Sequence, residues 1–284
     1  MASSRRRTLS LSLTLGVIGL ATATAMAATT TKTVRAVSGE TSATFSYLKS
    51  TSGRGEPYSK LRLSITRRGM NLFNAPVRAI LCGKLCWPDA GISANPVLRI
   101  ADIERNGSPD VILDLYSGGA HCCSITQVYR YDRGTQTYSV VEHDFGDPGS
   151  LLETLHGVEV FVSADDRFAY AFTSFAFSGL PVQIWSFATG RFVDVTARFP
   201  AQITADAARQ DRAYLANRSQ GLGLGFIAAW AADEDLLGRG AVVARTLAAA
   251  NRAGGLRSSD GFARQGSAFI SQLQRFLTKN GYAT

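Results

Sequence analysis

Gln127-Val128-Tyr129-Arg130-Tyr131-Asp132-Arg133-Gly134 and, 56 residues further on, Gln183-Ile184-Trp185-Ser186-Phe187-Ala188-Thr189-Gly190 are the two stretches on which the fold turns. Each is an aromatic and β-branched run that ends in a Gly turn. Each is answered by a second run of strand type, Thr137-Tyr138-Ser139-Val140 after the first and Arg191-Phe192-Val193-Asp194-Val195 after the second. Strand, Gly turn, strand is the pattern of a β-hairpin. Each hairpin also follows an acidic or Gly-containing loop and an apolar strand, Val111-Ile112-Leu113 in one unit and Val160-Phe161-Val162 in the other. A repeated strand–strand–hairpin unit of this size predicts a propeller-like blade or a β-meander.

Upstream, Ala43, Phe45 and Tyr47 alternate, as do Leu61, Leu63 and Ile65, with a polar loop over 50–59 between them and a turn at 67–71. Period-two strands with one polar face predict antiparallel sheet. Residues 29–33 read as a loose leader to these strands. Downstream of Pro200 the period changes to that of helices. Thr204 is placed to cap a helix through Asn217, and Gly221, Gly223 and Gly225 break it. Ile227, Trp230, Ala231 and Leu237 mark a second helix, and Val243, Leu247 and Ala250 a third. Phe269, Ile270, Leu273, Phe276 and Leu277, opened by Ser267 and closed by Gly281, mark a fourth. The predicted fold class is α+β, an antiparallel propeller-like β-meander region followed by a C-terminal helical bundle. Its parts are a signal peptide over 1–27, an N-terminal β region over 28–98, the repeats over 99–200 and the helical region over 201–284. The β region has room for three or four units of ~40–45 residues. A closed propeller has about 4–8 blades, so an open assembly completed by the helices stands beside a closed ring.

Asp102-Ile103-Glu104-Arg105-Asn106-Gly107-Ser108-Pro109-Asp110 is the stretch that carries chemistry. Oxygen-bearing side chains stand at its first, third, fifth and ninth positions, with Gly at the sixth to allow a tight turn. Calcium takes six to eight oxygens, and alternate side chains of a curled loop point inward. An EF-hand is excluded because Leu113 stands where the bidentate Glu belongs. This loop, the strand Val111-Ile112-Leu113-Asp114 and the Tyr-rich hairpin after it resemble an integrin-like FG-GAP or VCBS-type repeat. The resemblance spans about residues 98–200. It implies a β-propeller blade with a calcium loop and carries Asp102, Glu104, Asn106 and Asp110 over as ligands, with the backbone carbonyl of Ser108 completing the set. Glu104 and Asn106 depart from the family's aspartates. The second unit, over 153–159, keeps only Gly157 and Glu159 of such a loop. The runs Gly118-Gly119-Ala120-His121-Cys122-Cys123 and Asp165-Asp166-Arg167-Phe168-Ala169-Tyr170 resemble uncharacterised secreted bacterial proteins, a likeness that implies no activity.

The compartment is read from the ends and the cysteines. Arg5, Arg6 and Arg7, an apolar run and Ala25-Met26-Ala27 form the three parts of a secretory signal. The apolar run is too short and too rich in Ser and Thr to remain as a membrane span. Four cysteines in a secreted chain predict disulfides, with local pairs Cys82–Cys86 and Cys122–Cys123 preferred and a cross-link between the two groups as the alternative. The +8 net charge invites a nucleic-acid reading. No basic run is interleaved with aromatics, so nucleic acid is not a predicted partner. Without residues 1–27 the charge is +5, distributed as +7 over 28–78, −6 over 79–200 and +4 over 201–284. The acidic middle is where a cation belongs. The three histidines make no catalytic pattern; His143-Asp144 lacks a nucleophile elbow, and adjacent strand residues face opposite ways. The resulting expectation is a secreted, non-catalytic binding or structural protein of the bacterial cell envelope that meets an extracellular protein or glycan and is stabilised by calcium. The alternative is a secreted hydrolase, to be recognised by a deep cleft that gathers His143, acids and a nucleophile.

Overall fold

The protein is described by a computed structural model covering residues 29–51, 56–83, 86–89, 95–119, 121 and 123–282, so the expected signal peptide over 1–27 lies outside the described residues. Three antiparallel sheets follow one another along the chain. The first is the meander β1 (Thr29–Ser38), β2 (Thr41–Ser50), β3 (Tyr58–Arg67) and β4 (Met70–Pro76). The second contains β5 (Trp87–Pro88), β6 (Leu98–Ala101), β7 (Asp110–Tyr116), β8 (Ser124–Asp132) and β9 (Thr137–Asp144), with both β5 and β6 pairing β7. The third is β10 (Leu151–Leu155), β11 (Val158–Ala164), β12 (Val182–Ala188) and β13 (Arg191–Asp194) in chain order. The two stretches that decide the fold are thus β8 and β12. Their hairpins close with Tyr131 opposite Tyr138 and Phe187 opposite Phe192. Residues 29–33 are not a loose leader: Thr29 pairs Ser50 and the ladder runs unbroken to Ser38 opposite Thr41. A Thr-rich run suits a pleated strand, and pairing with β2 satisfies its backbone groups.

The sheets lie as layers, and side-chain parity shows which layer each residue faces. Val111, Leu113 and Leu115 of β7, with Ile125 and Tyr129 of β8, share a core with Phe45, Leu63 and Ile65 of the first sheet. Ile112 and Val128, one residue out of phase, share a second core with Phe161 and Phe187 of the third sheet. The middle sheet is therefore buried on both faces, and β7 is buried from Asp110 through Leu115 without alternation. The far face of the third sheet, Val160, Val182 and Ile184, packs on Phe199 and Ile203.

Four helices cover that face and one another: α1 (Pro200–Asn217), α2 (Leu224–Leu236), α3 (Gly240–Arg252) and α4 (Gly266–Lys279). The first begins at Pro200 rather than after Thr204, because proline suits the first helical turn, where its missing N–H is not needed. Gly221 takes a left-handed φ of 73° at the break before α2. Gly281, also left-handed, closes α4 while the Tyr282 amide donates to the Leu277 carbonyl at 3.0 Å. The α+β class and the β-then-helix order agree with expectation. Of the two arrangements expected for the β region, the described residues form the open one: the three blade-sized sheets stack in a row, completed by the helices, and do not close into a ring. Helices occupy the position on the third sheet where a further blade would pack.

Candidate functional site

The seam between the second and third sheets has two ends, and each gathers polar groups. One end is the loop over 102–110 together with the hairpin turns of β8–β9 and β12–β13. Asp102 organises the loop, accepting from the Asn106 amide at 2.9 Å and the Gly107 amide at 2.7 Å. Asn106 Oδ1 in turn accepts from the Ser108 amide at 2.8 Å. Gly107 supplies the left-handed φ of 75° that the curl requires. Glu104 points across the seam and accepts from Arg130 Nε at 2.5 Å and from the Gly190 amide of the third sheet at 3.1 Å. Ser108 is buried, and its hydroxyl accepts from Arg133 Nε at 2.6 Å.

Asp110 is wholly buried, and neither carboxylate oxygen has a hydrogen-bond partner. Burial pushes its pKa up to about 7, helped by the negative charges of Glu104 and Asp102 and opposed by Arg130 and by the Tyr131 amide, which faces the carboxylate without completing a hydrogen bond of good geometry. Asp102, Asn106, Ser108 and Asp110 thus lie in one curled loop, while Glu104 is engaged as a strut between sheets. Among the described residues no three His, Cys, Asp or Glu side chains form a metal cluster.

At the other end is a cleft of about 630 Å³ between β9 and the third sheet. Its aromatic wall is centred on His143, whose ring lies 4.3 Å from Trp185, 4.5 Å from Phe145 and 4.9 Å from Phe192. Burial lowers the His143 pKa, partly opposed by Asp144 and Asp194, which favours the neutral ring. The polar side of the cleft carries Asp144, Asp166 and Asp194 with Gln183 and Asn280. Asp144 accepts from the Gly146 amide at 2.8 Å. Asp194 accepts from the Thr196 amide at 2.9 Å. Asp166 retains an unpartnered buried oxygen, and its pKa is raised by burial, an effect opposed by a hydrogen bond from the Asp147 amide and helped by the negative charges of Asp147, Asp144 and Asp165. Gly146 lets the loops meet here, since a Cβ on it would stand 2.6 Å from Asp166.

Asp165 is structural. It holds Arg167 through both oxygens and accepts from the Tyr282 hydroxyl at 2.7 Å, while Arg167 reaches Asn280 Oδ1 at 3.2 Å. These bonds bring the C-terminus to the cleft. Among the described residues no serine, threonine or lysine lines it, and Cys123, which does, is disulfide-bonded. The second expected disulfide, Cys82–Cys86, is present; the partner expected for Cys123, Cys122, lies outside the described residues.

Sequence reasoning placed the 102–110 loop but missed the cleft. Asp165-Asp166-Arg167 was the signal available, and nothing in the primary order joins it to His143, Trp185 or Asn280.

No helix among the described residues is long and apolar enough to cross a membrane. No family model matches the chain, and no solved structure does. Over 150 residues, half of this chain, it is 33% identical to a probable thylakoid lumen protein of Synechocystis sp., and the match spans 44% of that protein's length.

Proposed function

We propose that the chain is an extracytoplasmic, non-catalytic binding protein of the bacterial cell envelope whose cleft beside His143 takes a neutral glycan. The observation that carries this reading is the pairing of an aromatic wall, His143 and Trp185, with carboxylate and amide groups opposite it. Flat apolar faces suit the faces of sugar rings, and the few placed polar groups suit their hydroxyls. The Cys82–Cys86 disulfide and the lumenal relative support a compartment outside the cytoplasm.

The experiment is retention of the purified mature chain on insoluble chitin and cellulose, both neutral polymers. Retention is expected, with loss in Trp185→Ala judged folded by circular dichroism. A protein retained on neither, or retained equally when Trp185 is replaced, is not a glycan binder at this cleft. The hydrolase reading has one specific support, the raised pKa of Asp166 in a cleft that contains other carboxylates. Release of reducing ends from either polymer, abolished in Asp166→Asn, would establish it in place of simple binding.

We further propose that the 102–110 loop binds calcium through Asp102, Asn106, the Ser108 carbonyl and Asp110. Its support is the buried, unpartnered carboxylate of Asp110, an arrangement a cation would relieve. Glu104, engaged by Arg130 and Gly190, acts in this reading as the strut that ties the loop to the third sheet. Added calcium should raise the melting temperature of chelator-treated protein, and Asp110→Asn should abolish that rise. An unchanged melting temperature on adding calcium to the wild-type chain would refute the site.

A further inference from the structure

At the edge where the first two sheets meet, beside the 102–110 loop, lies a second pocket of about 380 Å³. Two hairpin turns build it, that of β3–β4 carrying Arg67 and Arg68 and that of β8–β9 carrying Arg133. Arg68 is paired at the surface with Glu40 at 2.6 Å. The other two guanidinium groups have no carboxylate partner among the described residues. Each is instead oriented by neutral groups. Arg67 lies over the Tyr131 ring, 4.5 Å from its centroid, and donates to Thr41 Oγ1 at 3.1 Å. Arg133 donates to Ser108 Oγ at 2.6 Å and to the Asn106 carbonyl.

Neutral partners fix direction without cancelling charge. A guanidinium has five N–H donors, so most of those on Arg67 and Arg133 remain for a ligand. Gly107 lets the loop backbone lie against the second of these cations, since a Cβ there would be 3.0 Å from Arg133 Nη2. The order of the loop therefore sets the aim of Arg133.

We propose that this pocket binds a phosphate group, carried by a monoester or a diester, between Arg67 and Arg133. One guanidinium fork satisfies the two oxygens of a carboxylate. Two forks from separate sheets suit a group with oxygens on more than one side, which is the geometry of phosphate. The bearer of the phosphate is either a soluble ester or a lipid headgroup.

The test uses the mature chain with glycerol phosphate in titration calorimetry, at ionic strength matched by sodium chloride. Saturable binding is expected, weakened roughly tenfold or more in Arg67→Gln and Arg133→Gln, since a charge-assisted bond of this kind carries about that much affinity. Arg35→Gln on the exposed face of β1 should bind as the wild type does. The thermal melt of each variant without ligand checks folding, and Arg133→Lys, which keeps the charge but not the fork, supplies a milder second variant.

In a parallel arm the chain is sedimented with vesicles of phosphatidylcholine alone or with phosphatidylglycerol. Arginine-dependent sedimentation with the latter identifies a headgroup, and binding of glycerol phosphate without sedimentation identifies a soluble ester. No binding in either arm, or binding that all three glutamine variants reduce alike, overturns the proposal.

Discussion

Asp233 shows what one buried side chain can impose on the whole molecule. It lies on α2 with no exposed surface, and no donor reaches either oxygen. Burial pushes its pKa up to about 10, and Asp206 adds to the shift by its charge and by accepting the proton. Asp206 itself is supplied with donors, the Val182 amide of β12 at 3.1 Å and Arg209 Nε at 2.8 Å. Asp206 thus ties α1 to the third sheet, and Asp233 sits beside it on α2 as a buried acid held in its protonated form.

The sign of the pH dependence follows. Above the ordinary carboxyl value of 3.8 the unfolded chain releases a proton that the folded chain retains, so this group lowers stability steadily as pH rises toward about 10. Asp233→Asn keeps a donor toward Asp206 and removes the titration. It should raise stability at pH 8 by on the order of 2 kcal/mol and flatten the fall in melting temperature between pH 5 and 9. Calorimetric melts across that range check it, and an unchanged slope would show that Asp233 ionises normally. None of this is legible in the run Ala231-Ala232-Asp233-Glu234-Asp235 itself. The burial of these acids depends on what packs around α2.

Elements were more legible than sites. β8 and β12 are recognisable because an aromatic, β-branched run before a Gly turn has few other outcomes, and the hairpins formed at the expected residues. The fourth helix follows from the spacing of Phe269, Leu273 and Leu277, all buried on one face. The second helix was marked by Ile227, Trp230 and Ala231, but it is buried nearly all round, from Leu224 to Glu234, so that spacing shows the helix and not the extent of its buried surface. Gly225 explains how it fits: a Cβ there would stand 2.5 Å from the Phe177 carbonyl and 2.6 Å from Thr173 Cγ2. Helix and loop touch backbone to backbone at this point. Gly225→Ala should cost about 1–3 kcal/mol through overpacking, although alanine is the better helix former. A urea melt that shows a gain in stability would mean that the loop over 173–178 yields.

At the scale of the molecule, the helical region is a lid on the third sheet and not an independent appendage. It covers Val160, Val182 and Ile184, and its last residues reach the cleft through Tyr282 and Asn280. A chain ending at residue 199 should therefore expose an apolar sheet face. It should elute as aggregate in size-exclusion chromatography and bind a hydrophobic dye. A monomeric, dye-silent product would show that the sheets are complete without the helices. The charge distribution reads differently in three dimensions too. Of the acids of residues 79–200, Asp102, Glu104 and Asp110 stand in the 102–110 loop and Asp144, Asp165, Asp166 and Asp194 at the cleft, while others are spent elsewhere, Asp114 on Arg99 and Glu142 on Gln127.

The sequence by itself determined the antiparallel hairpins, the change from strand to helix at Pro200 and the curled loop over 102–110, and it favoured the local Cys82–Cys86 pairing that the structure contains. All of these are local, governed by side-chain period, turn residues and short chain distances. Only the tertiary structure decided that the sheets stack without closing, that β7 is buried on both faces, and that Asp165 meets Tyr282 across 117 positions of chain. It alone brought Arg67 and Arg133 to one pocket and Asp206 and Asp233 to one proton. Layer packing chooses neighbours by face and shape, and these neighbours leave no mark on the order of residues between them.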